Sequence, residues 1–198
     1  MFEQIEKFEN YLAKITGAKY AVATDCCTHA IELCLRMDKP KYTLFTPYTY
    51  LSVPMLMHKL EIDYDYLDEK HQMWCGEYKF FNTNIWDSAR KLTRNMYRTG
   101  QKQCLSFGWD KPLNIGRGGA ILLDDKDEYL ELKHMAYDGR DLSITPWENQ
   151  KTFKVGYHYK MTPTEASDGY KMLNALDAFG FPDPKLKKYP DLRKIKIK

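Results

Sequence analysis

The feature that most constrains this chain is a switch of hydrophobic period, made repeatedly in its first 67 residues. Phe2, Ile5, Phe8, Leu12 and Ile15 fall at helical spacing, so residues 2–16 read as an amphipathic helix that Gly17 is placed to end. AKYAVAT (18–24) is a short apolar run with the composition of a buried strand. Helical spacing returns from Thr28 to Met37 through Ala30, Ile31, Leu33, Cys34 and Leu35. YTLFT (42–46) reads as the next strand, broken by Pro47; a helix from about Leu51 to Leu60 and an alternating strand, EIDYDYL (61–67), follow. Helix–strand order of this kind predicts an α/β fold, three-layer α/β/α, with a mainly parallel sheet and right-handed crossovers.

The rest of the chain is less regular. Residues 68–82 are hard to read, although Lys79–Thr83 could form a short strand leading into Asp87. Ala89–Tyr97 is helical or turn-like. Two more strands are expected at 103–107 and 119–123, and a helix at 126–137 with Tyr129, Leu130, Leu132 and Met135 on its apolar side. Residues 140–154 form a loop. Thr162, Pro163 and Glu165 make a helix start, with Thr162 as N-cap, and that helix stops at Gly180. The expected division is an α/β domain over 1–180 and a basic, proline-containing tail over 181–198.

Composition narrows the function classes. With 43% hydrophobic and 29% charged residues over 198 positions, the chain has the profile of one globular domain. A net charge of +3 is too weak to argue for nucleic acid. The basic residues crowding at the end (Lys185, Lys187, Lys188, Arg193, Lys194, Lys196, Lys198) read as a solvated, partly frayed tail in preference to a phosphate- or membrane-touching one. No apolar run is long enough for a membrane span, and MFEQIEKFENYL is too charged for a signal peptide, so a cytoplasmic address is expected. Five cysteines without paired spacing suggest reduced thiols, and the scattered histidines predict no metal site.

The chemistry centres on CLSFGWDKPLNIGRGGAILL, Cys104–Leu123, where a single lysine, Lys111, stands between two apolar runs beside Gly116, Gly118 and Gly119. In α/β sheets, ligands sit beyond the carboxyl ends of the strands. Asp25–Thr28 follow the first strand and open a helix whose free N–H groups can hold phosphate. Pro47–Tyr50 follow the second strand, Asp87 the possible strand near Phe81, and Ser106 and Lys111 the fifth. One edge would then present a helix start, an aromatic ring, an aspartate, a hydroxyl and a lysine. Each has an ordinary explanation alone: a cap, a core ring, a solvated charge. Together they suit a phosphorylated, aromatic, carbonyl-bearing cofactor. The lysine would form a Schiff base and the aspartate would keep a ring nitrogen protonated. The ring would stack, and the serine and helix start would bind phosphate. The glycines would let backbone approach closely beside Lys111.

These pieces occur in an order that resembles the DegT/DnrJ/EryC1/StrS family of pyridoxal-phosphate (PLP) sugar aminotransferases. EKFENYLAKITGAKYAVATDCCTHAIELCL looks like the family's first helix, strand and phosphate-binding turn, with Thr28 matching the turn's threonine and Cys27 standing where glycine is usual. TPYTYLSVP resembles the loop with the stacking aromatic, best matched by Tyr50. NIWDSARKL resembles the ring-nitrogen segment, with Asp87 as the aspartate and Arg90 where the family has glutamine or histidine near the cofactor hydroxyl. CLSFGWDKPLNIGRGGAIL is similar without gaps to the Schiff-base segment, which puts Ser106 on the phosphate and Lys111 on the aldehyde carbon. GYHYKMTPTEASDGYKML resembles the later segment that reaches a partner's site in family dimers, with His158 for the usual asparagine.

The resemblance implies the fold type I (aspartate aminotransferase-like) architecture, much reduced and lacking most of the C-terminal small domain. It implies PLP as cofactor and transfer of an amino group, with glutamate as expected donor, to a nucleotide-linked keto-sugar. It also implies a homodimer with shared sites, for which Arg140, Trp147 and residues 156–161 are interface candidates. Two alternatives stay open: a PLP enzyme for a smaller amino-acid substrate, and a non-catalytic relative that binds a partner or sugar nucleotide.

Overall fold

The computed structural model describes residues 2–68, 76–184 and 188–197. Part of the stretch that was hard to read (69–75, including Cys75) and Lys185, Lys187 and Lys198 of the basic tail lie outside the described residues. The predicted alternation is present: α1 (Glu3–Thr16), β1 (Tyr20–Thr24), α2 (Cys27–Asp38), β2 (Tyr42–Phe45), α3 (Ser52–Leu60) and β3 (Asp63–Tyr66). The chain continues through β4 (Tyr78–Lys79), β5 (Ile85–Asp87), β6 (Lys102–Ser106), β7 (Gly119–Leu123), α4 (Lys126–Ala136) and α5 (Pro163–Phe179).

Local chemistry accounts for most boundaries. Ile5, Phe8, Leu12 and Ile15 are buried on one face of α1, and Gly17 ends it at φ 81°, donating its N–H to the Ala13 carbonyl. α5 begins with the predicted capping box between Thr162 and Glu165. α5 also packs on α1. Gly169 makes that approach possible, because a Cβ there would stand 2.9 Å from the Phe8 ring.

Five strands form one sheet in the order β1-β7-β6-β5-β4, and β2 and β3 pair in parallel beside it. Every residue of β7 is buried. Successive strand side chains point to opposite faces, so both faces of the sheet are covered there, as a layered α/β fold requires. α2 packs along β5, β6 and β7, while α1 and α4 pack at β1.

The expectation of a mainly parallel sheet is corrected in the pairings. Only β5–β6 and β2–β3 are parallel among the described strands; β1–β7, β6–β7 and β4–β5 are antiparallel. Connection length is the reason. Residues 80–84 join β4 to β5 and residues 107–118 join β6 to β7 without a helix, so neither link makes a crossover and the chain turns back on itself. Phe81 stitches on the two-stranded sheet: its N–H donates to the Leu44 carbonyl (2.8 Å) and its carbonyl accepts from the Thr43 hydroxyl (2.9 Å).

Two local expectations also change. Asp87 does not follow a strand near Phe81; it ends its own strand, β5, whose three residues carry too little periodicity to be recognised. The end of the chain is held where it is described. Leu192 is only 3% exposed, and its N–H donates to the Pro47 carbonyl at 3.1 Å.

Candidate active site

Beyond the ends of β5 and β6 lies a cavity of about 260 Å³. Its lining includes Cys27, Thr28, Tyr50, Asp87, Arg90, Ser106 and Lys111, seven of the eight residues singled out from the sequence. They come from five separate places: the start of α2, the loop before α3, the end of β5, the end of β6 and the β6–β7 loop. His158 is not among them. It is exposed on the surface, with Nδ1 3.0 Å from an Asp138 carboxylate oxygen. A larger groove of about 750 Å³, lined by Arg36, Lys41, Ile62, Met135 and Tyr157 among others, gathers none of the eight.

Asp87 is fixed by neutral donors. The Tyr78 hydroxyl donates to Oδ2 (2.8 Å) and the Ala89 N–H to Oδ1 (2.9 Å). Tyr78 stands directly opposite Asp87 in the β4–β5 register, and its oxygen is also 2.7 Å from the Thr49 hydroxyl. Burial raises the Asp87 pKa, against the lowering pull of the Ala89 and Tyr78 hydrogen bonds and of the Lys111 and Arg90 charges. Burial, with Asp87 beside it, also pushes the Tyr78 phenol well up, which keeps it a donor.

The turn that carries Asp87 and Arg90 has its own support. Glu77, 3% exposed, accepts from the Ser88 hydroxyl (3.0 Å), Lys91 Nζ (2.6 Å) and Arg98 Nη1 (2.9 Å). Gly76 lies so close that a Cβ there would stand 2.6 Å from the Arg90 carbonyl oxygen. Its φ of +84° also favours glycine.

Lys111 sits in a turn closed by its own N–H on the Gly108 carbonyl (3.0 Å), and its side chain is only 13% exposed. Nζ is 3.8 Å from an Asp110 carboxylate oxygen, and the other oxygen of Asp110 pairs with the Arg90 guanidinium. Asp110 therefore ties the lysine to the arginine.

The glycine cluster acts elsewhere than expected. Of the three, Gly119 makes the tight backbone approach, where a Cβ would lie 2.5 Å from the Cys27 nitrogen; at Gly118 a Cβ would stand 2.9 Å from the Met161 methyl, and at Gly116 it would meet nothing within 4 Å. Gly119 thus brings the start of α2 against β7. Thr28 follows in the first turn, its hydroxyl 2.9 Å from that of Ser52. The Cys27 thiol is pushed well up by burial and by Asp87, so it stays protonated. Just before it, Asp25 pairs with His29 (2.6 Å) and Arg117 (2.7 Å), and His29 is raised to about 9 chiefly by its hydrogen bond to Asp25.

Sequence reasoning missed Thr49, Tyr78, Asp110 and Tyr189. Tyr78 and Asp110 carried faint signals, one just ahead of the aspartate segment and the other adjacent to Lys111. Tyr189 carried none.

A layered α/β chain with this cavity at the strand ends has the fold of the PLP-dependent transferases of fold type I. Solved structures share it at low identity. 3-Amino-5-hydroxybenzoic acid synthase superposes with TM-score 0.71 at 18% identity over 89% of this chain and 56% of its own. DesI in the presence of its TDP-sugar product gives 0.69 at 17% over 89% and 54%. NtdA from Bacillus subtilis with bound cofactor PMP gives 0.71 at 17% over 88% and 48%. The chain thus spans about half the length of these proteins. No curated protein matches it. The model of the DegT/DnrJ/EryC1/StrS aminotransferase family matches residues 1–79 and 89–182, and the chain belongs to that family.

Proposed function

We propose that this cavity holds pyridoxal 5′-phosphate and that the chain moves an amino group, with glutamate as donor, onto a nucleotide-linked keto-sugar. The observation that carries the reading is the Asp87–Lys111 arrangement. A buried carboxylate is held by two neutral donors, and a lysine on the same cavity is paired with a different acid. Each Asp87 oxygen keeps a lone pair for a further donor such as a protonated ring nitrogen. Lys111 is the amine for the aldehyde carbon. Ser106, Thr28 and the first N–H groups of α2, beside Cys27, suit the phosphate. Tyr50 and Arg90 line the same cavity, and would serve as the stacking ring and the partner of the cofactor hydroxyl. When bound, the cofactor supplies the electron sink for chemistry at the substrate amine.

The chain's own residues do the rest. Asp87 would keep a ring nitrogen of that cofactor protonated, since its buried charge is better matched by a proton than by solvent. The Thr49–Tyr78 pair holds the carboxylate still. Once freed, Lys111 Nζ moves the proton as general base and acid, with Asp110 holding its position.

The bound PMP of NtdA and the TDP-sugar product of DesI support the cofactor and substrate class. The exposed Trp147 and Val155, with His158 on the surface, support a homodimer in which the 156–161 segment serves a partner's site.

The test is an absorbance spectrum of the protein with added PLP, before and after borohydride, followed by peptide mapping. A visible band lost on reduction, with the added mass on Lys111, is expected, and glutamate should convert the cofactor to its pyridoxamine form. No band and an unmodified Lys111 would sink the reading. Conversion by glutamate without turnover of any keto-sugar would remove only the substrate class.

A further inference from the structure

The C-terminal segment meets the site at two separate places. Tyr189 lines the cavity that contains Asp87 and Lys111. A second cavity, of about 350 Å³, lies across a partition made of Arg90, Trp109, Asp110 and Lys111, and Pro182 and Asp183 help to wall it. The segment is tied down between the site and the β2–α3 loop. The Leu192 N–H donates to the Pro47 carbonyl, and within the segment Asp191 caps the turn by accepting from the Arg193 backbone N–H (3.1 Å) and Nε (2.9 Å). Tyr189 is directed at the partition: its hydroxyl accepts from Arg90 Nε at 3.4 Å, and the guanidinium carbon lies 5.8 Å from its ring centre. Arg90 is only 4% exposed and its other end pairs with Asp110, which also faces Lys111.

We infer that the segment 188–194 is a working wall of the site, and that Tyr189 is a positioning residue that sets the Arg90 guanidinium beside Lys111. The physical argument is one of degrees of freedom. An arginine side chain has many rotamers, and a ligand that needs one of them must bear the cost of selecting it. Asp110 fixes the tip of the guanidinium, while the Tyr189 hydroxyl contacts the Nε side and its ring stands beside the group. With both in place the cation is held before any ligand arrives. This inference rests on the PLP reading for its ligand but not for its geometry.

The test compares wild type, Tyr189→Phe and Tyr189→Ala in two assays. In the first, PLP is titrated and its Kd read from the visible band. Tyr189→Ala should raise Kd about tenfold and Tyr189→Phe about threefold, the scale of one lost contact to a charged group. In the second, cofactor-free protein is treated with phenylglyoxal and Arg90 modification is followed by mass spectrometry. It should be several-fold faster in Tyr189→Ala, and Leu192→Ala, which loosens the tether, should act in the same direction. An unchanged Kd in both tyrosine variants would overturn the positioning role, and an unchanged Arg90 modification rate would overturn the wall. If wild type takes no PLP onto Lys111, the functional reading fails by itself, and the modification rates alone then decide whether the segment covers Arg90. Should Tyr189→Ala not fold, Tyr189→Phe and Leu192→Ala carry the same comparison.

Discussion

Two regions of the molecule each contain a buried carboxylate and a lysine, and they are built in opposite ways. Between α1 and α4, Glu9 and Lys133 are 2% and 7% exposed and bond each other directly, Nζ standing 2.9 and 2.8 Å from the two oxygens. Glu9 Oε1 also accepts the Ala23 N–H at 2.7 Å. At the strand ends, Asp87 and Lys111 share a cavity, but the carboxylate is held by Tyr78 and Ala89 while the lysine faces Asp110. The first pair satisfies itself and helps join two helices. The second leaves both partners with capacity directed at open space. A buried charge spent on its neighbour is architecture; one held by neutral donors beside a cavity is available to a ligand.

The largest expected difference comes from removing each lysine. Lys111→Ala should abolish borohydride-fixed PLP while leaving the thermal midpoint nearly unchanged. Lys133→Met should do the reverse, lowering stability by about 3–5 kcal/mol because Glu9 is left buried without its cation. Denaturant titration and peptide mapping on both variants check this, and loss of cofactor fixation in Lys133→Met would erase the distinction. Next, Asp87→Asn should weaken PLP binding by about ten- to a hundredfold, the worth of a charged hydrogen bond, measured by cofactor titration.

Tyr78→Phe isolates the support given to Asp87. It should cost about 1 kcal/mol of stability and a smaller loss in PLP affinity than Asp87→Asn. An equal loss would mean that the hydroxyl, not the carboxylate, meets the ligand. The smallest effect concerns the rim at the start of α2. His29 is raised to about 9 by its bond to Asp25, so its stabilising contribution is complete below about 6.5 and lost as pH rises through about 9. Urea midpoints should fall over that window in wild type and flatten in His29→Gln; parallel curves would remove the His29–Asp25 pair as the cause.

Legibility in the sequence followed the range of the interactions. The α5 cap was readable because Thr162 and Glu165 are three residues apart and act on each other. Lys111, Ser106 and Asp87 were readable because each lies within a short segment with family resemblance. β5 was not, since Ile85–Asp87 is too short to show a period, and it becomes a strand by pairing with β6 and β4. Strand direction was misread because helical spacing between the early strands says nothing about the two helix-free links later in the chain. The tail read as frayed because its lysines dominate its composition; Leu192 and Tyr189 gain their places only from Pro47 and Arg90.

By itself the sequence determined the helices, the early strands and the residue types that meet at the cavity, because periodicity, caps and short motifs act over a few positions. The tertiary structure alone decided the mixed pairing of the sheet, the Thr49–Tyr78 hydroxyl pair on the Asp87 carboxylate, the tie of Lys111 to Arg90 through Asp110, and the exclusion of His158 from this cavity. Those depend on segments distant in sequence, whose meeting is set by packing of the whole chain and leaves no local pattern to read.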